Sequence, residues 1–369
     1  MKVAVFHDYL NQFGGAERVL QTILEMFPDA DLYTLLYDEK KTFGLFQKNI
    51  KGTSFIDIPI VRKKHRAFIP FMPFAAGFLK IKGKYDLIIS SSAGYAKGFG
   101  MYRKKDDVYH ICYCHSPLRY AWEIDYLKNL SFSPRSMSKD MLRPIARWLQ
   151  RWDKKASEGV NVFIANSGFI AEKIKSYYGR EAEVIYPPVN LKNFFFELKE
   201  HKEDFYLMAG RLLYYKGFDL GIQAFNRMKK RLKIIGRGPE EKKLRQLANP
   251  AYIEFLNSVS DKELKEYYNA ARAFIFPQIE DFGLVAAEAQ ACGTPVLAFN
   301  IGGGGEIVEH GKTGLVFKKQ TTDAIIETVH DFEGRIFDRE SIGKSAQRFS
   351  DVEFKKKLFE VVQRAGFHT

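Results

Sequence analysis

Cysteine is scarce in this chain: Cys112, Cys114 and Cys292 are the three among 369 residues. Three thiols cannot all pair, and the simplest reading is a reduced, cytosolic chain in which they serve as small core residues. "CYC" has one residue between its thiols and lacks a second pair to complete a zinc site. Long apolar runs are missing too. The longest, "AFIPFMPFAAGF" from Ala67 to Phe78, holds two prolines and a glycine, and it falls short of the roughly 20 residues a membrane span needs. The opening "MKVAVFHDYL" reads as a short strand interrupted by His7 and Asp8, so no leader is expected. No D-x-D sequence reads as a metal clamp, and Asp106-Asp107 falls in a charged turn. The expectation for metal is therefore none.

Acid is in deficit: 57 Lys plus Arg stand against 44 Asp plus Glu, a formal net charge of +13. Such a balance favours anionic partners, whether nucleic acid, phosphorylated small molecules or an anionic membrane surface. The basic residues are scattered and carry no helix-turn-helix, zinc-finger or RNA-binding signature, so no nucleic-acid partner is expected. Hydrophobic residues at 46% and charged ones at 27% make a globular composition. The length suits two α/β domains better than one.

Short β-branched runs alternate with amphipathic stretches. In the first half, strands are expected at Lys2–Phe6, Asp86–Ser90, Tyr109–Tyr113, Asn161–Ala165 and Glu183–Tyr186. Helices are expected at Gly15–Phe27, Leu142–Ser157 and Gly168–Tyr178. "YPPVNLKNFFFELKEHKED" breaks the pattern as a linker would. A second series of strands follows at Phe205–Ala209, Leu232–Ile235, Ile253–Leu256, Ala273–Phe276, Pro295–Ala298 and Gly314–Phe317. Repeated β-α-β spacing implies a parallel sheet wrapped by helices, built twice. The expected division is residues 1–190, 191–350 and a C-terminal helix over 351–369. Ligands of such sheets bind at the carboxyl ends of the strands, and two sheets facing each other would enclose an interdomain cleft.

Four places after strands carry candidate chemistry. In "HDYLNQFGGAERVL", Gly14 and Gly15 permit close backbone approach just before a helix start, where a phosphate or sugar hydroxyl fits; an ordinary tight turn is the plainer alternative. In "AGRLLYYKGF", Arg211 offers a planar donor fork and Lys216 a movable charge, a pair suited to a diphosphate. In "PQIEDFGLVAAE", a helix is expected to begin near Phe282. The amides of Phe282, Gly283 and Leu284 would then be unsatisfied at its start. Glu280 precedes that helix and Glu288 lies inside it among alanines; a carboxylate accepts two hydroxyls at once, as vicinal sugar hydroxyls require. Helix capping for Glu280 and an exposed position for Glu288 are the plainer alternatives. Finally, "CYCHSPLRYAWE" sets His115 and Arg119 after a strand, His being the side chain most easily retuned near neutral pH.

The spacing E-x7-E, preceded by G-R-L-x-x-x-K-G and by G-G-A-E after the first strand, and followed by "GGGGEIVEHGKTGLVF", resembles the retaining glycosyltransferases of family 4. The resemblance runs through almost the whole chain. It implies the GT-B fold, an α/β architecture of two facing Rossmann-like domains. It further implies a nucleotide-sugar donor as substrate, no other cofactor, and a glycan or lipid-linked acceptor. By this resemblance Glu280 bonds hydroxyls of the donor sugar, Glu288 holds the ribose, and Arg211 and Lys216 neutralise the diphosphate. The backbone at Phe282, Gly283 and Leu284 supports the sugar and β-phosphate. Gly14 and Gly15 face the diphosphate and acceptor, and His115 lies beside the reacting sugar. Glu17 and Arg119 fall on the acceptor side. "CHSPLRYAW" looks like a subgroup that transfers mannose from GDP-mannose in bacterial surface-polysaccharide assembly. Asn257 departs from the family, replacing a glycine in "FLNSVSD"; Asn tolerates left-handed backbone, so Val259 is still expected to contact the base.

"VRKKHRAFIPFMPFAAGFLK" joins Arg62, Lys63, Lys64, His65 and Arg66 to an aromatic stretch. That suits docking of residues 62–80 on anionic lipid at the inner face of the cell membrane, with burial against the first sheet as the alternative. Two competing functions remain. A nicotinamide-dependent oxidoreductase would use "GRGPEEK", where Glu241 stands in place of the third glycine of its fingerprint. A non-catalytic nucleotide-sugar-binding homologue would not need Glu280, Glu288, Arg211 and Lys216 together.

Overall fold

The computed structural model describes the chain except for residues 103–107, 129–138, 199–202 and 368–369. Asp106-Asp107 thus lies outside the described residues. The chain divides into two compact units, Met1–Ile185 with Lys355–Thr369, and Tyr186–Phe354.

The first unit is built on seven parallel strands: β1 Val3–His7, β2 Asp31–Thr34, β3 Ile50–Thr53, β4 Leu87–Ser92, β5 Tyr109–Cys114, β6 Val162–Ala165 and β7 Ala182–Val184. Their order is β3-β2-β1-β4-β5-β6-β7. Every residue of "VAVFH" in β1 is buried, as a central strand covered by helices on both faces requires. β2 and β3 were not anticipated. "DLYT" is short and starts on an acid, and "IKGT" is a half-exposed edge strand holding a glycine. Neither presents the apolar run that marks a buried strand.

The second unit carries six parallel strands: β8 Tyr206–Ala209, β9 Leu232–Ile235, β10 Ile253–Leu256, β11 Phe274–Phe276, β12 Val296–Phe299 and β13 Gly314–Phe317. Their order is β10-β9-β8-β11-β12-β13. In both sheets the order runs outward from the first strand and then reverses. The reversal lies between β1 and β4 in one unit and between β8 and β11 in the other, and such switch points are where open α/β sheets take ligands.

The three cysteines are buried. A buried ion pair locks the turn after β4: Lys97 Nζ lies 2.5 Å from Asp153 on helix Lys139–Glu158. Asp153 also accepts from Trp122 Nε1 at 2.8 Å and Tyr178 Oη at 2.7 Å. Burial alone would lower the Lys97 pKa, yet Asp153 holds it above its ordinary value.

The segment read as a linker is in part packed. Val189 N donates to Phe349 O at 2.7 Å, the Tyr186 ring packs on Phe282 and Phe349, and Phe194 is fully buried. Those aromatics take the chain from Tyr186 onward into the second unit, a few residues before the expected boundary. Helix Asp351–Arg364 begins in the second unit, and from Lys355 the chain belongs to the first. There Lys355 pairs with Glu25 at 2.7 Å, Arg364 with Glu183, and the Phe367 ring packs on Tyr109.

Candidate active site

At the second switch point the loops following β8 and β11 meet. β8 ends at Ala209, and Gly210 and the exposed Arg211 follow it. A single 3-10 turn, Tyr214–Lys216, then delivers Lys216 just before helix Phe218–Met228. The Lys216 ammonium is ion-paired with the Glu280 carboxylate, both side chains being less than a fifth exposed. Glu280 O accepts from Gly303 N at 2.9 Å. A Cβ at Gly303 would lie 1.7 Å from Phe282 O, so only glycine lets helix Gly303–Ile307 press against the Glu280 loop. The glycine run at 302–305 thus buttresses Glu280 from behind, a role the sequence did not reveal.

Helix Leu284–Ala291 starts two residues later than expected, with Gly283 as its N-cap at φ 105°. Ala286 N already donates to Gly283 O at 2.9 Å, and the amides ahead of it lie at the positive end of the dipole with no carbonyl one turn earlier in the helix to take them. The Phe282 ring is buried against Tyr186 and Phe349, so its side chain is committed to the core. Glu288 is 5% exposed, among buried Ala286, Ala287, Ala289 and Ala291. It is not the exposed helical glutamate of the plainer alternative. Val259 is partly buried on the second-unit core, just before helix Asp261–Ala270, whose cap Ser260 accepts from Glu263 N. Asn257 does not use the left-handed backbone that was expected to preserve this turn. Among the described residues, Phe43 and Lys229 are the non-glycine residues at positive φ.

Gly236 and Gly238 have a packing role. Cβ atoms there would lie 2.0 Å from Gly210 O and 2.2 Å from Leu212 O, and Leu212 N donates to Arg237 O at 3.0 Å. These glycines seat the loop after β9 against the loop after β8. The dinucleotide fingerprint instead spans the first strand–helix turn of its sheet.

At the first switch point, β1 and β4 pair His7 with Ser91. Gly14 caps helix Gly15–Met26, and its N–H donates to Glu17 Oε2 at 2.8 Å. Glu17 is buried and occupied with this cap, with Oε1 3.8 Å from His7 Nε2. Ser91 Oγ is 3.1 Å from His7 Nδ1 and 2.8 Å from His115 Nε2. Burial, with His7 nearby, pushes the His115 imidazole down to about 3, so it is neutral near pH 7. Asp8 accepts from the amides of Ala93, Tyr95 and Ala96 at 2.5, 2.9 and 2.5 Å and thereby clamps the turn after β4. Burial raises its pKa despite those bonds. Arg119 donates to Tyr126 Oη at 2.8 Å and lies over that ring. His7, Asp8 and Ser91 were not anticipated as site residues. The signal was the polar pair ending an otherwise apolar first strand.

Among the described residues no cluster of His, Cys, Asp and Glu is arranged to hold a metal ion. Likewise no helix is long and apolar enough to cross a membrane. The basic aromatic stretch forms helix Pro59–Lys64, a 3-10 turn His65–Phe71 and helix Met72–Gly77. It splits between the two alternatives: Val61, Ile69, Met72, Ala75 and Ala76 are buried, while Phe71, Phe74 and Phe78 are exposed. Lys63, Lys64 and Arg66 are exposed as well. Arg62 is paired with Asp57 at 2.6 Å, and His65 is bonded to Asn11 at 2.9 Å.

Comparison with known proteins identifies the family. The profile described as "Glycosyltransferase Family 4" matches residues 13–193, and "Glycosyl transferases group 1" matches residues 189–349. An uncharacterized glycosyltransferase of Methanocaldococcus jannaschii is 23% identical over 356 residues, covering 95% of this chain and 93% of the relative. A GDP-mannose-dependent alpha-(1-6)-phosphatidylinositol monomannoside mannosyltransferase of Mycobacterium tuberculosis is 28% identical over 215 residues, covering 50% of this chain and 55% of the relative. The crystal structure of Anabaena HepE in complex with UDP superposes with a TM-score of 0.70 at 20% identity, covering 99% of this chain and 100% of that one. Two parallel α/β units joined in this order have the GT-B fold, and the consecutive profile matches run from the Gly14 loop to Phe349. The chain belongs to the family 4 glycosyltransferases.

Proposed function

We propose that the chain transfers mannose from GDP-mannose, with retention at the anomeric carbon, to a glycan or lipid-linked acceptor in cell-surface polysaccharide synthesis. The observation that carries this reading is the Lys216–Glu280 ion pair at the β8–β11 switch point, beside the start of helix Leu284–Ala291. A sugar diphosphate offers each partner a better-matched ligand. Its phosphate oxygens take Lys216, Arg211 and the helix-start amides, and its sugar hydroxyls take Glu280. Glu288, buried on the next turn, is assigned the ribose. The choice of mannose is supported by "CHSPLRYAW" and by the name of the mycobacterial relative.

The barrier is departure of the diphosphate as positive charge grows on the sugar. Arg211, Lys216 and the amides of Gly283 and Leu284 stabilise the leaving group electrostatically, in a surrounding already organised for it. The bond from anomeric carbon to phosphate oxygen breaks, and the acceptor oxygen bonds the same face of that carbon. The acceptor proton passes to the departing phosphate oxygen. No enzymic nucleophile and no metal ion enter this reading. His115, neutral, is assigned to the donor sugar, and Gly14, Gly15 and Arg119 to the acceptor side. Glu17 supports that side through the cap. The exposed Phe71, Phe74 and Phe78 beside Lys63, Lys64 and Arg66 favour peripheral docking on an anionic membrane surface.

A thermal-shift series with GDP-mannose, UDP-glucose, UDP-N-acetylglucosamine and the free nucleotides tests the donor. A ligand at 100 times its dissociation constant stabilises the fold by about 2.7 kcal/mol. GDP-mannose is expected to give the largest shift, and nucleotide release with acceptor to persist in chelator. Equal, negligible shifts remove the donor assignment. Binding without nucleotide release would instead favour the non-catalytic homologue.

A further inference from the structure

Four buried side chains form one polar line in the first unit. Glu17 Oε1 lies 3.8 Å from His7 Nε2, His7 Nδ1 lies 3.1 Å from Ser91 Oγ, and Ser91 Oγ lies 2.8 Å from His115 Nε2. Gly14 N fixes the other oxygen of Glu17 at 2.8 Å. The four are 3%, 2%, 0% and 9% exposed in the order Glu17, His7, Ser91, His115, so water does not compete along the line.

A serine hydroxyl has a single proton. Set between two imidazole nitrogens, it donates to one and must accept from the other. The charge on Glu17 settles the direction. At 3.8 Å Oε1 is too far for a hydrogen bond, yet a buried carboxylate at that distance favours a proton on His7 Nε2. Neutral His7 then has a lone pair at Nδ1, Ser91 donates to it, and His115 supplies Nε2–H to Ser91. That leaves Nδ1 of His115 as a hydrogen-bond acceptor. When His7 takes a second proton at Nδ1, Ser91 accepts there and donates to His115 Nε2. The single proton of His115 must then reside on Nδ1.

We infer that Ser91 is a positioning residue that couples the tautomer of His115 to the protonation of His7: neutral His7 makes His115 Nδ1 an acceptor, and charged His7 makes it a donor. The groups acting on His7 are Glu17 from helix Gly15–Met26, Asp8 next in the chain and His115 after β5. Lys97 faces Asp8 from the turn after β4. The catalytic consequence rests on the transferase reading: an acceptor at Nδ1 orients a donor-sugar hydroxyl, and a donor there does not. The relay itself does not depend on that reading.

The test is imidazole nitrogen NMR on the full chain with 15N-labelled histidine, assigned from the spectra of His7→Gln and His115→Gln. At pH 9, far above the ordinary imidazole value of roughly 6.5, His115 is expected to carry its proton on Nε2 alone. Ser91→Ala removes the bridge and is expected to give a mixture of tautomers. Glu17→Gln keeps an oxygen for Gly14 N but turns its amide NH2 to His7. With the carboxylate charge gone and amide hydrogens facing Nε2, the His7 proton is expected on Nδ1, and both imidazoles invert, moving the His115 proton to Nδ1. Should Ser91→Ala fail to fold, Glu17→Gln still decides. A wild-type His115 protonated on Nδ1 at pH 9, or a tautomer unmoved by either folded substitution, overturns the relay. Turnover of GDP-mannose, followed alongside, keeps the two readings apart. Tautomers as expected without turnover support the relay and sink the transferase assignment.

Discussion

Lys216 and Glu280 form an ion pair that ties the loop after β8 to the loop after the neighbouring strand β11. The two lie 64 positions apart in sequence and meet because the sheet order reverses there. The pair is partly open to water, so its loss should cost roughly 1 kcal/mol or less. Its loss from a transition state is another matter. Lys216→Ala and Glu280→Gln are each expected to lower kcat by about 100- to 1,000-fold, the range for one preorganised electrostatic group. Melting temperatures should change little. Nucleotide release measured for both variants checks this, and an unchanged rate removes the pair from the mechanism.

Gly303→Ala probes the support behind Glu280. The added methyl would meet Phe282 O at 1.7 Å, and backbone, unlike a side-chain tip, cannot turn aside. A cost on the order of 1–3 kcal/mol in urea unfolding is expected. Turnover should fall further than that loss explains, because the displaced segment carries Glu280 and the helix start. Gly159→Ala is the control: its Cβ meets nothing nearer than Ala156 O at 4.0 Å. Equal effects at the two sites would contradict the buttress.

The second-unit site was legible because its parts are local. Arg211 with Lys216, and Glu280 with Glu288, each lie within a dozen residues after a strand, so the strand pattern alone places them at carboxyl ends. What escaped depends on long-range packing. His7 and Ser91 are 84 positions apart and become partners only because β1 pairs β4 directly, although two unanticipated strands separate them in sequence. The burial of Phe194 inside an apparent linker and the seat of Gly303 against Phe282 O are likewise tertiary facts. Glycine and phenylalanine in an irregular stretch do not announce what they will touch.

His115 gives the stability a signed pH dependence. Burial, and then the proximity of His7, hold its folded pKa near 3, against roughly 6.5 in an unfolded chain. Above the unfolded value both states are neutral and the group contributes nothing. Below it the unfolded chain binds a proton that the fold refuses, so stability falls by about 1.4 kcal/mol per pH unit until the folded group titrates. Between pH 7.5 and 5, wild type should therefore lose about 2 kcal/mol more than His115→Gln, which has no such proton to bind. Denaturant unfolding at the two pH values checks the difference. A parallel loss in both proteins would show that His115 titrates normally in the fold.

The exposed Phe71 and Phe78 and the exposed Lys63, Lys64 and Arg66 lie along one continuous stretch of the first unit. Aromatic rings suit the interface of a bilayer, and each nearby cation contributes about 1 kcal/mol toward anionic lipid. Replacing Lys63, Lys64 and Arg66 with Glu should therefore abolish sedimentation with vesicles rich in phosphatidylglycerol. Phe71→Ser should weaken it at high salt, where screening leaves the apolar term dominant. Neutral phosphatidylcholine vesicles should bind neither wild type nor variants strongly. Binding that ignores both lipid charge and the triple Glu substitution would remove this face from any membrane role. Phe74 and Phe78 are left intact in these variants because they pack on Trp148 at 5.6 Å and on Tyr102 at 5.1 Å, and their loss would disturb the fold together with the surface.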